Sequence, residues 1–148
     1  MVVRPFVGYE NPTLFKTRTM SLIIPSNDLK VYVEQVQQIL TLQLSSDNVD
    51  MLREHIMDVC NVAANIPLMQ ASAKYYLEQK KKEVIPEAAE KGYTPLVTKE
   101  YINSLCAPEL SIYELIKEQG SELDKRRQSI VTIISYEKKL IEASMQTR

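Results

Sequence analysis

"VDMLREHIMDVCNVAANIPLMQASAKYYLEQKKKEV" (residues 49–84) decides how this chain folds. Val49, Leu52, Ile56, Val59, Ala63 and Ile66 recur at alternating steps of three and four, the spacing that lines one face of an α-helix. The same count carried past Pro67 lands on Gln70, Ala73, Leu77, Lys80 and Val84, so the phase survives the proline. Pro67 lacks a backbone donor and crowds the carbonyl of Ala63. The stretch therefore predicts either a kink within one long helix or two nearly collinear helices.

Upstream, "PSNDLKVYVEQVQQILTLQL" (25–44) opens with helix-entry signals: Pro25, then Ser26 or Asn27 as N-cap, then Asp28 near the positive end of the macrodipole. Leu29, Val33, Val36, Leu40 and Leu44 form its apolar face. "SSDN" (45–48) is a polar turn in which Ser46 or Asp47 can cap the helix that follows. Residues 1–25 carry Pro5, Pro12 and Pro25 among scattered aromatics and hold no period for long. They read as an extended N-terminal arm, with "TMSLII" as a candidate short strand, that needs cover from its own core or a neighbouring subunit.

Downstream, "VIPEAAEKGYTPLVT" (84–98) holds Pro86, Gly92 and Pro95 and is the clearest break. Thr98 is placed to cap a short helix, "KEYINSLC", ended by Ala107–Pro108. From 108 to 145 Ile112, Ile116, Leu123, Ile130, Ile133 and Leu140 form one stripe, and Val131, Ile134, Ile141 and Met145 an adjacent one. A helix apolar over that much of its circumference contacts more than one partner, inside the domain or across subunits. Gly120–Ser121, with Asp124 three residues after the serine, resembles a capping box and marks a candidate break. The expectation is an all-α protein of four to five helices with a long C-terminal helix, an arm at 1–25 and one helical domain at 26–148.

Composition agrees. The 148 residues include 45% hydrophobic and 25% charged side chains, three glycines and no tryptophan. So few glycines leave little room for the tight turns of a many-stranded β fold. The net charge of −1 lacks the basic excess of a dedicated nucleic-acid-binding domain, so such binding would need a local patch or several patches joined in an oligomer. Arg4, Glu10, Lys16 and Arg18 interrupt any secretory leader, and no stretch approaches the roughly 20 apolar residues that span a bilayer. These features point to a soluble intracellular protein, or to one built into a soluble particle.

Chemistry-bearing motifs are scarce. His55 is the sole histidine and lies beside an apolar stripe, where a structural or exposed role fits better than a general base. Cys60 and Cys106 have no CxxC spacing and no second histidine to activate them, so both read as free thiols. No phosphate loop, metal-ligand set or nucleophile elbow is present, so no catalytic residue, metal or cofactor is assigned and the chain reads as a non-enzyme. Two basic segments remain as nucleic-acid candidates: Lys74, Tyr75, Lys80, Lys81 and Lys82, and Lys125, Arg126, Arg127 and Lys138. Cations meet phosphate and tyrosine stacks on unpaired bases. Three consecutive lysines span about 200° of helix and cannot all face one strand. Lys80 falls on the apolar stripe and is expected to snorkel, whereas Lys81 and Lys82 lie off it.

"AANIPLMQASAKYYLEQKKKE" (63–83), "KEYINSLCAPE" (99–109) and "RRQSIVTIISYEKKLIEAS" (126–144) together resemble small helical proteins of tailed phages, most of all the recombination-mediator type. That resemblance implies a homo-oligomer that binds single-stranded DNA and helps load a recombinase, in the host cytoplasm. The alternatives are a structural or connector component of a phage particle, and a small helical adaptor or inhibitor that binds a protein partner.

Overall fold

The computed structural model describes residues 23–44 and 47–147. The expected arm and its candidate strand lie outside this range except for Ile23–Pro25, as does Ser46. The described residues form five helices and no strand: α1 (Ser26–Thr41), α2 (Val49–Ala63), α3 (Ile66–Glu90), α4 (Pro95–Leu105) and α5 (Ala107–Gln146).

Helix α5, 40 residues long, is the spine. Its partners meet it in order. Leu77 and Val84 of α3 share a cluster with Cys106, Leu110 and Tyr113 at its start. Ile66, at the head of α3, touches its middle at Gly120, and His55 of α2 bonds Arg126 further on. Helices α2 and α3 therefore run end to end antiparallel to α5, separated only by Ala64 and Asn65. The collinear alternative is the one adopted. Asn65 takes the N-cap position of α3 and Pro67 falls in its first turn, where a missing N–H costs nothing. Helix α1 runs parallel to α5, since Val33 bonds Gln119 and Leu40 bonds Arg126. The chain entering α1 is pinned to α3: the Ile24 N–H donates to Ser72 Oγ at 2.9 Å, and Tyr76 Oη donates to the Ile24 carbonyl at 2.7 Å.

The main core joins Leu29, Tyr32, Val36, Ile39, Leu52, Val59, Val62, Met69, Ile116, Leu123 and Ile130. On α1 the buried face is turned from the expected one. Tyr32 and Ile39 are buried with Leu29 and Val36, while Val33, Leu40 and Leu44 are partly buried at its edge. The buried residues are also an evenly spaced stripe, at steps of three, four and three; α1 packs on α2, α3 and α5 together, and the side turned to them is centred on Tyr32, Val36 and Ile39.

Several local expectations are corrected. Helix α1 starts at Ser26 with Pro25 in the N-cap position and no side-chain cap, so neither Ser26 nor Asn27 serves there. Asn48, not Ser46 or Asp47, caps α2, its Oδ1 accepting the Met51 N–H at 3.1 Å. The expected break at 84–98 shrinks to residues 91–94. Pro86 sits inside α3, on an exposed turn where solvent can serve the carbonyl that loses its donor, and the chain reverses at Gly92 with φ +66°. Thr94 takes the N-cap position of α4, and Thr98 lies inside the helix with its hydroxyl on the Tyr93 carbonyl. At Gly120 α5 does not break. A Cβ there would lie 3.0 Å from Ile66 Cγ2, so the glycine serves close helix contact.

Candidate functional site

The two basic segments fare differently. Lys125 holds Glu122 at 2.9 Å and Arg127 holds Asp124 at 3.0 Å, both one turn back along α5. Arg126 points the other way, into the bundle. Its Nε donates to His55 Nε2 at 2.8 Å, Nη1 to the Leu40 carbonyl at 3.0 Å, and Nη2 to the Leu42 carbonyl. Those carbonyls sit at the C-terminal end of α1, where no intrahelical donor reaches them and the macrodipole favours a cation. Arg126 is thus a clamp across three helices, with its donors turned away from any phosphate outside.

Helix α3 keeps more of its charge free. Lys80 lies on the inner stripe as expected, half-exposed and 3.6 Å from Glu83. Lys74 and Lys82 are exposed and Lys81 is partly buried; among the described residues none has an ion pair. At 100° per residue Lys74 and Lys81 share one line along the helix, with Tyr75 and Lys82 beside it and Glu78 between. Tyr75 is 45% exposed and rests edge-on against Tyr76, ring centres 5.6 Å apart. Lys138, on the last turns of α5, is exposed and far along the spine from this group. The structure therefore gathers Lys74, Tyr75, Lys81 and Lys82 and sets apart Lys80, Lys125, Arg126, Arg127 and Lys138.

His55 accepts from an arginine, so its Nε2 is unprotonated and its proton rests on Nδ1. Burial lowers its pKa below the ordinary imidazole value, the Arg126 charge lowers it further, and Asp58 opposes both. Cys60 is exposed on the same helix, but five residues on it points about 140° away from His55, so the two form no nucleophile–base pair. Cys106 is buried. Burial and the nearby Glu109 push its thiol up against the opposing pull of Lys81 and Lys80, which makes it a poor nucleophile. Among the described residues no group of His, Cys, Asp and Glu is arranged to hold a metal, and no helix is long and apolar enough to cross a membrane.

Neutral His55 is the bonded form, so acidification opposes the clamp. Its pKa is depressed on folding, so its contribution is complete above the unfolded imidazole value, about 6.5, and is lost as pH falls through the folded value. Thermal melts from pH 8 downward should show the wild type losing stability below about pH 6.5. His55→Gln, which keeps an acceptor without the titration, should lose less over that window. Parallel curves would exclude His55 as the titrating group.

The far end of α5 carries a second feature. Ile130 is fully buried, Ile133 and Ile134 partly so, and every described residue from Lys138 onward is exposed. Yet the apolar pattern continues: Val131, Tyr136, Leu140, Ile141 and Met145 are between 44% and 70% exposed. The helix outruns α2, which starts only at Val49.

Sequence reasoning missed Gln119 and Ser72. Gln119 is buried and donates to the Val33 carbonyl at 2.9 Å, and Ser72 ties α3 to Ile24. Both were visible as polar residues interrupting core stripes, Gln119 between Ile116 and Leu123, Ser72 between Met69 and Ala73. Comparison with protein-family models, curated proteins and solved structures finds no match to this chain.

Proposed function

We propose that this chain is a non-enzymatic helical assembly protein that works by associating with copies of itself. One observation carries the reading: both apolar stripes of α5, the one ending at Leu140 and the one through Ile141 and Met145, continue past the point where the described bundle covers the helix. Exposed apolar area of this kind marks interaction surfaces. The turn around α4 adds Tyr93, Leu96 and Val97, also exposed, so the molecule has apolar surface at both ends. This favours the structural or connector reading over the mediator reading, whose Arg126 is clamped inside the fold and whose Lys125 and Arg127 have carboxylate partners. Light scattering of the full chain over a wide concentration range should give a mass above one chain that falls on dilution. A single-chain mass at every concentration would sink the reading.

The single-stranded-DNA reading keeps one observation, that Lys74, Lys81 and Lys82 have no ion pair among the described residues and stand beside half-exposed Tyr75 on α3. Three phosphate contacts would give a slope of roughly −2 in log K against log salt. Lys74→Glu with Lys82→Glu should abolish that binding and leave the mass unchanged. Absence of binding to labelled single-stranded DNA at low salt would end this second reading.

A further inference from the structure

From the clamp at Arg126 we infer a proton-operated latch: a proton on His55 releases the C-terminal end of α1 from α5 and opens the cleft between the two helices, while the rest of the bundle stays folded. This latch is independent of self-association, and it confines to one segment the acid loss of stability described above.

One atom is decisive. His55 Nε2 accepts from Arg126 Nε at 2.8 Å, and that bond orients the planar guanidinium whose Nη1 and Nη2 reach the Leu40 and Leu42 carbonyls. A proton on Nε2 sets a donor against a donor and places a second positive charge at hydrogen-bond distance from the first. The Leu40 and Leu42 carbonyls are already occupied, so the new donor finds no partner there. Two charged side chains act on the ring: Arg126 from α5, and Asp58 from three residues further along α2. Helix α1 and its first following turn bring backbone carbonyls to the cluster. Asp58 therefore draws the imidazolium along its own helix and off Arg126, and the guanidinium loses the contact that aims it at α1.

Burial and the Arg126 charge hold the ring neutral at pH 7, so the latch is shut there. Its release is local because α1 stays anchored at its start. Val33 bonds Gln119, and Ile24 bonds Ser72 and Tyr76, none of which gains or loses a proton between about pH 5 and pH 8. The edge that moves is the one α1 turns to α5: Leu40 and Leu44, with Leu115 and Gln119 across from them, line a cleft that has Arg126 in its wall.

The test uses the full chain. His55 is the sole histidine, so one imidazole signal in the proton NMR spectrum reports its titration. Deuterium exchange, with the intrinsic pH dependence of exchange divided out, should show protection of residues 36–42 and 51–55 falling about tenfold as pH drops through that midpoint, and protection of residues 69–77 unchanged. His55→Gln, which keeps an acceptor and takes no proton, should hold its protection across the same window. Protection that stays level through the midpoint means that the ring swings away alone, and overturns the latch. A fall shared by residues 69–77, a fall that His55→Gln repeats, or a ring still neutral at about pH 5 overturns it as well.

Discussion

Ile130→Ala is expected to lower the free energy of unfolding by about 3 kcal/mol, whereas Leu140→Ala on the same helix should change it by less than about 0.5 kcal/mol in the dissociated chain. The chemistry removed is comparable. The difference lies in cover: Ile130 is fully buried in the main core, and Leu140 stands ten residues on, in a part of α5 that is exposed among the described residues. Urea unfolding at low concentration should show the Ile130→Ala midpoint shifted with little change in slope, and the Leu140→Ala curve superposed on the wild type. Equal losses at the two sites would mean that the end of α5 is covered, and the assembly surface would have to be sought elsewhere.

Arg126→Met is the second large effect, with an expected cost of about 2–4 kcal/mol. The methionine can replace the aliphatic stem, but the carbonyls of Leu40 and Leu42 and the ring nitrogen of His55 lose their donor together. Burial lowers the pKa of the guanidinium, though an arginine stays charged at neutral pH, so the clamp holds a partly desolvated cation. Arg126→Lys should recover little, because one ammonium cannot reach three acceptors set around a planar fork. Lys125→Met and Arg127→Met, which break only exposed pairs, should each cost less than about 1 kcal/mol. If all three variants melt alike, the clamp is not what holds α1 to the spine.

This contrast also shows where reading the chain succeeded. The periodicity of 49–84 located α2 and α3 and their shared face, because burial along a helix leaves a mark every three or four residues. Pro67 announced the junction because its effect is local. Basic residues were harder. Lys125 and Arg127 looked free only while attention stayed on residues 125–139, since Glu122 and Asp124, one turn back, hold them. Arg126 could not be separated from its neighbours at all, because its partners are backbone carbonyls 84 and 86 residues away. Gly120 was misjudged for a related reason. A glycine followed by Ser-x-x-Asp fits a helix start, and only the approach of Ile66 reveals that the missing Cβ matters more than the freedom of the backbone. Asn48 caps α2 because the helix begins at Val49, one residue later than a cap at Asp47 requires, and the Asn48 side chain then reaches the Met51 N–H.

The meeting of Ile66 with Gly120 has a mechanical side. Masons stagger the joints of adjoining courses so that no crack runs straight through a wall. In this molecule one joint is set against a weak course, and a third helix is laid across both. The gap between α2 and α3 at Ala64–Asn65 stands level with Gly120, the residue least committed to helix in the interior of α5. Helix α1 is continuous across that level, tied to α3 at Ile24, to Gln119 at Val33 and to Arg126 at Leu40, so it splints the cross-section where the other two helices are weakest. The end bearing α4 and the end bearing Leu140 are therefore joined through α1 as well as through the spine.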